Sequence, residues 1–116
     1  MKRQYNLFIK DMLECIERIE EFTGNMDFKE FLEDDKTKSA VVRKLEIIGE
    51  AAKNIPASIR QKNKELPWSD MAKMRDKITH FYFGIDYEIV REVIKRRLPE
   101  IKPVIHNILK EMADQK

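Results

Sequence analysis

The chain is poor in the residues that cross-link or punctuate a fold. It has one cysteine, three glycines and four prolines in 116 residues. A lone Cys15 excludes an internal disulfide and fits a reducing cytoplasm. So few turn-forming residues, beside a charged fraction of 38 %, argue against a turn-rich β fold and for helices. No apolar run approaches the ~20 residues of a membrane span, and the N-terminus has no signal-peptide apolar core. The expectation is a cytoplasmic protein with no membrane contact. The net charge is only +2, so the chain is no polycation and any nucleic-acid contact would come from a local patch. There is no glycine-rich phosphate loop, which argues against ATP or GTP hydrolysis. Cys15 and His106 have no partners at metal-ligand spacing, so neither a metal nor a cofactor is expected.

What is present reads as one all-α domain over residues 1–116, an antiparallel bundle of four to five main helices. The length suffices to bury roughly 65 % of the unfolded surface. Tyr5, Phe8, Met12, Cys15, Ile19 and Phe22 recur at three- and four-residue steps, predicting a helix over about 2–22. Gly24 suits a left-handed stop. Asp27 can cap a short turn carrying Phe28, Phe31 and Leu32. A second long helix is expected over about 37–55, with Val41, Leu45, Ile48, Ala52 and Ile55 as its core stripe. Pro56 ends it or opens a short helix, and 60–67 reads as a charged loop. Ser69 is the expected N-cap of a third helix over about 70–83. Gly84 would end it, Asp86 would cap the next helix, and Ile85 and Val90 stand at staple positions. Leu98-Pro99 is expected to break or kink the chain before a last helix, with Pro103 in its first turn or at a bend.

The densest chemistry lies in Arg75-Asp76-Lys77-Ile78-Thr79-His80-Phe81-Tyr82. A guanidinium grips phosphate, an imidazole moves or holds a proton, and a phenol can donate or be modified. On one continuous helix, at about 100° per residue, Met71, Met74, Ile78, Phe81 and Ile85 fall in a sector of roughly 80° and form the core face. Arg75 and Tyr82 then share a flank. Asp76 and His80 form an outward i, i+4 pair. Each residue also has a plain reading. Arg75, Lys73 and Lys77 are then solvated cations, Tyr82 packs at the edge of the core, and Asp76–His80 is a weak surface pair. Glu46 and Glu50 project from the second helix beside Arg43. They read either as a salt-bridge ladder or with Glu50 orienting Arg75 or His80.

Three segments together resemble the HepT-like branch of the HEPN superfamily of small helical ribonuclease toxins. The first is Ala40-Val41-Val42-Arg43-Lys44-Leu45-Glu46-Ile47-Ile48-Gly49-Glu50-Ala51-Ala52-Lys53. The second is Pro67-Trp68 followed by Met74-Arg75-Asp76. The third is His80-Phe81-Tyr82-Phe83-Gly84-Ile85-Asp86, with Leu98-Pro99 beyond it. The resemblance implies a HEPN-type bundle and a homodimer whose two motifs line one cleft. It implies a toxin of a type VII HEPN/MNT toxin–antitoxin system that cleaves RNA without a metal through the ribose 2′-hydroxyl. Arg75 and His80 would be catalytic, with Asp76 and Tyr82 supporting the phosphate pocket. Asp76 would also fix the imidazole and favour its cation. Lys73 and Lys77 would track the RNA backbone. The implied partner is an MntA-type nucleotidyltransferase antitoxin, which can modify the motif tyrosine with AMP; the matching residue is Tyr82. The rival readings are a non-catalytic helical module that binds or regulates a nucleotidyltransferase, and a structural dimer whose motif residues serve the interface.

Overall fold

In the computed structural model, residues 2–80 and 84–114 are described, excluding the side chains of residues 2–4 and His80. The chain is helical nearly throughout, as its composition predicts. Three long helical stretches carry the bundle: α1 (Lys2–Thr23), α3 (Asp35–Lys53) and the C-terminal run from Tyr87 to Asp114. Shorter helices join them: α2 (Phe28–Glu33), α4 (Ala57–Lys62), α5 (Trp68–Ala72) and α6 (Met74–Ile78).

Local chemistry sets these boundaries. Gly24 ends α1 at a φ of 45°, a left-handed conformation that costs glycine little. Asp27 and Glu30 form a reciprocal capping box on α2. Asp34 caps α3 by accepting from the Thr37 amide at 2.9 Å. This bond holds the Asp34 carboxyl below its ordinary range. Asp86 caps α7 (Tyr87–Glu92) by accepting from the amides of Glu88 and Ile89.

The core sits where α1, α3, the motif helices and α8 (Leu98–Asp114) meet. Ile9, Met12, Ile16 and Ile19 of α1 face Val41, Leu45 and Ile48 of α3 in a continuous apolar cluster. The α1 stripe is thus rotated from the expected one. Ile9 and Ile16 are buried, while Phe22 is 36 % exposed. Lys102 at the start of α8 reaches Glu20 near the end of α1 at 2.7 Å, which ties the start of α8 to the end of α1.

Two expected helix divisions fall elsewhere. The third helix, expected over about 70–83, is broken. α5 begins at Trp68 behind Pro67, with Ser69 inside it rather than at its cap, and a turn at Lys73 separates it from α6. α6 stops at Ile78, and Thr79–His80 pairs antiparallel with Gly84–Ile85. The Asp86 amide donates to the Ile78 carbonyl at 2.6 Å, drawing the next cap onto the end of α6. By contrast, at Leu98-Pro99, where a break or kink was expected, the helical run does not stop. α7 passes through a π turn at Val93–Arg97 directly into α8. There the Leu98 amide donates to the Val93 carbonyl, five residues back. The wider turn relieves the clash that the Pro99 ring would make with the preceding turn. Pro103, expected in the first turn or at a bend, lies inside α8 beyond its first turn. Among the described residues, the 60–67 segment is also less loop-like than expected, because α4 runs to Lys62.

Candidate active site

The motif region is held against α3 by a close backbone approach. Gly49 is buried on α3. A Cβ at that position would lie 3.0 Å from the Met71 carbonyl oxygen and 3.3 Å from the Met74 Cβ. Only a residue without a side chain lets the α5–α6 junction settle this near. Met71, Met74 and Ile78 then enter the core, on the face expected from their spacing.

Once Met74 points inward, its neighbours point out. Arg75, Asp76, Lys77 and Thr79 are all exposed. Arg75 is 76 % exposed, and its Nε lies 3.8 Å from the Glu46 Oε2. Glu46 is 31 % exposed and lies one turn before Gly49, so the residue permitting close approach stands beside the one facing the arginine. Glu50, read from sequence either as part of a salt-bridge ladder or as orienting Arg75 or His80, pairs with Lys53 at 3.1 Å, as the ladder reading has it. Lys77 pairs with Asp70 at 3.2 Å, which binds α6 to α5 and partly neutralises that lysine.

His80 does not lie on the Arg75 helix. Its backbone is extended and paired with Gly84, and Gly84 takes a φ of 76°. Asp76 and His80 therefore do not share one helix at i, i+4 spacing, because α6 ends at Ile78. The helical period ends at the β-branched Thr79, whose backbone is extended at the end of α6. Tyr82 and Phe81 fall outside the described residues, and so does the expected shared flank of Arg75 and Tyr82. What stands is a strand and cap that return the chain from His80 to Asp86 beside the end of the Arg75 helix.

Gly49 was not singled out by the apolar stripe of α3, although an isolated glycine inside a helix is a signal of close packing. Glu46 and Glu50 are four residues apart on α3, and no spacing rule separates their roles. The selection of Glu46 depends on where α6 crosses α3. Among the described residues, no group of three or more His, Cys, Asp or Glu could hold a metal ion. No helix among them is long and apolar enough to cross a membrane.

The family model described as ribonuclease HepT-like matches residues 12–108. A Thermococcus cleftensis protein described as a probable ribonuclease HepT is 48 % identical over 102 residues, covering 88 % of this chain and 93 % of its own. A Methanocaldococcus jannaschii protein described as a putative RNase is 43 % identical over 114 residues, covering 98 % of this chain and 94 % of its own. A second from that organism, with the same description, is 46 % identical over 111 residues, covering 96 % and 92 %. No solved structure matches the chain significantly. The match spans α3, the broken motif helix and the Arg75–His80 region together, and the chain belongs to the HepT-like ribonuclease family.

Proposed function

We propose that this chain is the toxin of a HEPN/MNT toxin–antitoxin system and cleaves RNA without a metal, with Arg75 and His80 as its catalytic residues. The observation that carries the reading is the exposed Arg75 guanidinium beside Glu46, on a helix whose end leads directly into the His80 strand. Arg75 binds the scissile phosphate and stabilises the charge that develops on its non-bridging oxygens. The Glu46 carboxylate, at the guanidinium edge, limits the orientations open to this long side chain. His80 supplies the proton transfer. The ribose 2′-oxygen forms a bond to phosphorus as its proton leaves to a base. The bond from phosphorus to the 5′-oxygen breaks, and that oxygen takes up a proton. The products are a 2′,3′-cyclic phosphate and a free 5′-hydroxyl. Tyr82 completes the phosphate pocket, and Asp76 is a supporting residue that favours the imidazole cation.

The site needs a second wall. Arg75 is mostly open to solvent in one protomer, whereas charge stabilisation is strongest where water is excluded. A homodimer that brings two motif regions together supplies that enclosure. Control comes from an MntA-type nucleotidyltransferase antitoxin that places AMP on Tyr82, where the added phosphate competes for the pocket.

The same exposure also suits a docking face on a non-catalytic module. RNA cleavage separates the two. Wild-type protein should cut RNA in EDTA, while Arg75→Ala and His80→Ala each lose roughly 10²-fold or more. Full activity in both variants, or loss of activity in EDTA, would defeat this reading.

A further inference from the structure

A second basic surface lies immediately before Arg75. An open groove of about 740 Å³ runs between α4 and α5, and Arg60, Lys64 and Lys73 line it. Its floor is firm. Trp68 is buried, and its indole N–H donates to the Asn63 carbonyl at 2.9 Å, tying the end of α4 to the start of α5. Asp70 is the one acidic residue in the lining, and Lys77 of α6 already pairs with it. Arg60, Lys64 and Lys73 are exposed and make no ion pair among the described residues. Most other charged pairs on the surface are matched within one helix, such as Arg18–Glu21, Lys53–Glu50 and Arg96–Glu92. The groove therefore keeps a local positive excess on a chain whose net charge is only +2.

Its position gives it a direction. Lys73 is the turn residue between α5 and α6 and precedes Arg75 by two residues, at most about 7 Å of chain. A polyanion lying along Arg60, Lys64 and Lys73 arrives at Arg75. We infer that this groove is an extended subsite for the backbone of single-stranded RNA, holding the nucleotides on one side of the phosphate at Arg75. The RNA identity rests on the ribonuclease reading above; the groove and its charge do not. The subsite works through phosphate contacts, so it contributes affinity and salt dependence rather than base preference. Lys77, the other cation expected to track RNA, is less available because Asp70 holds it.

The test is binding of a fluorescein-labelled, fully 2′-O-methylated 12-nucleotide RNA, which cannot be cut through a 2′-hydroxyl, measured by anisotropy across a salt series. The triple variant Arg60→Gln/Lys64→Gln/Lys73→Gln should weaken binding roughly tenfold at moderate salt. Its plot of log affinity against log salt should be shallower by about 2, the value for three lost contacts to a single strand. The control triple Lys29→Gln/Lys36→Gln/Lys95→Gln removes the same charge around α2, at the far end of the ~28 Å length of α3. It should leave affinity and slope near wild type. Equal effects of the two triples, or no effect of the first, would overturn the subsite. Melting curves of both triples check that the fold is retained. A protein that binds the probe through the groove yet cuts no RNA would refute the ribonuclease reading and leave the subsite standing. One that cuts RNA with full dependence on Arg75 but ignores the groove triple would do the reverse.

Discussion

Gly49→Ala tests whether the proposed active site depends on how closely α5–α6 sits against α3. The new Cβ would meet the Met71 carbonyl oxygen at 3.0 Å and the Met74 Cβ at 3.3 Å. A comfortable carbon–oxygen contact is about 3.3–3.6 Å, so the motif helices must retreat by about 0.3–0.6 Å. Two energies oppose. Replacing glycine inside a helix gains about 1 kcal/mol in propensity, while overpacking a filled contact costs about 1–3 kcal/mol. The contact is to backbone, which cannot rotate away, so the cost should prevail. The net loss is about 0–2 kcal/mol, lowering the melting temperature by roughly 0–8 °C. The effect on cleavage should be proportionally larger. Arg75 follows Met74 directly, and a 1 Å misplacement of a catalytic group can cost about 10²-fold. Half that shift predicts roughly a tenfold loss. Gly24→Ala is the matched control. At a φ of 45° a side chain costs about 1–2 kcal/mol, but the position lies at the end of α1, and cleavage should be unchanged in folded protein. Circular dichroism melts and initial rates on a fixed RNA read both quantities. A Gly49→Ala protein that melts higher and cleaves at the wild-type rate would refute the reasoning.

The other predictions concern the carboxylates, the modification and the assembly. Glu46→Ala should lower cleavage several-fold while changing stability by no more than about 1 kcal/mol, since its partner Arg75 is largely exposed. Glu50→Ala, which removes only the pairing with Lys53, should leave the rate unchanged; the opposite order would give the orienting role to Glu50. A cognate nucleotidyltransferase with ATP should add AMP to Tyr82 and silence cleavage, and Tyr82→Phe should escape labelling. Peptide mapping that finds AMP on Tyr5 or Tyr87, or inhibition with no change in mass, would show another mode of control. Sedimentation at micromolar concentration should give about twice the 13.9 kDa chain mass. A clean monomer would remove the composite cleft.

The helical class, most caps and the core stripe of α3 were legible because each rests on local chemistry. Gly24, Asp27 and Asp86 do what their residue types favour, and Val41, Leu45, Ile48 and Ala52 of α3, with Ile55 just beyond it, are all buried. The motif region was less legible because periodicity says which face is apolar and not where the helix stops. Met71, Met74 and Ile78 obey one helical phase through the turn at Lys73, so the break leaves little mark on the pattern. The strand at Thr79–His80 depends on pairing with Gly84–Ile85, a contact that no helical window contains. The α1 stripe misled for a related reason. Phe8 and Phe22 are large and apolar, yet Ile9 and Ile16 face the middle of the bundle. The helix is apolar over a wide arc, and neighbouring helices decide which part of it is central. The Arg75–Glu46 approach and the choice against Glu50 follow from the crossing of α6 over α3 at Gly49, which is tertiary information.

The central claim is that RNA is cut through its own 2′-hydroxyl at a site formed by Arg75 and His80. The most direct measurement is mass spectrometry of the product ends after digestion of one defined RNA in EDTA, beside its all-2′-deoxy counterpart. The account predicts 2′,3′-cyclic phosphate and 5′-hydroxyl ends from the RNA, no cleavage of the deoxy strand, and near-total loss of product with Arg75→Ala and His80→Ala. Products with 5′-phosphate ends, or cleavage of the deoxy strand, would contradict it, because both require a nucleophile other than the ribose hydroxyl.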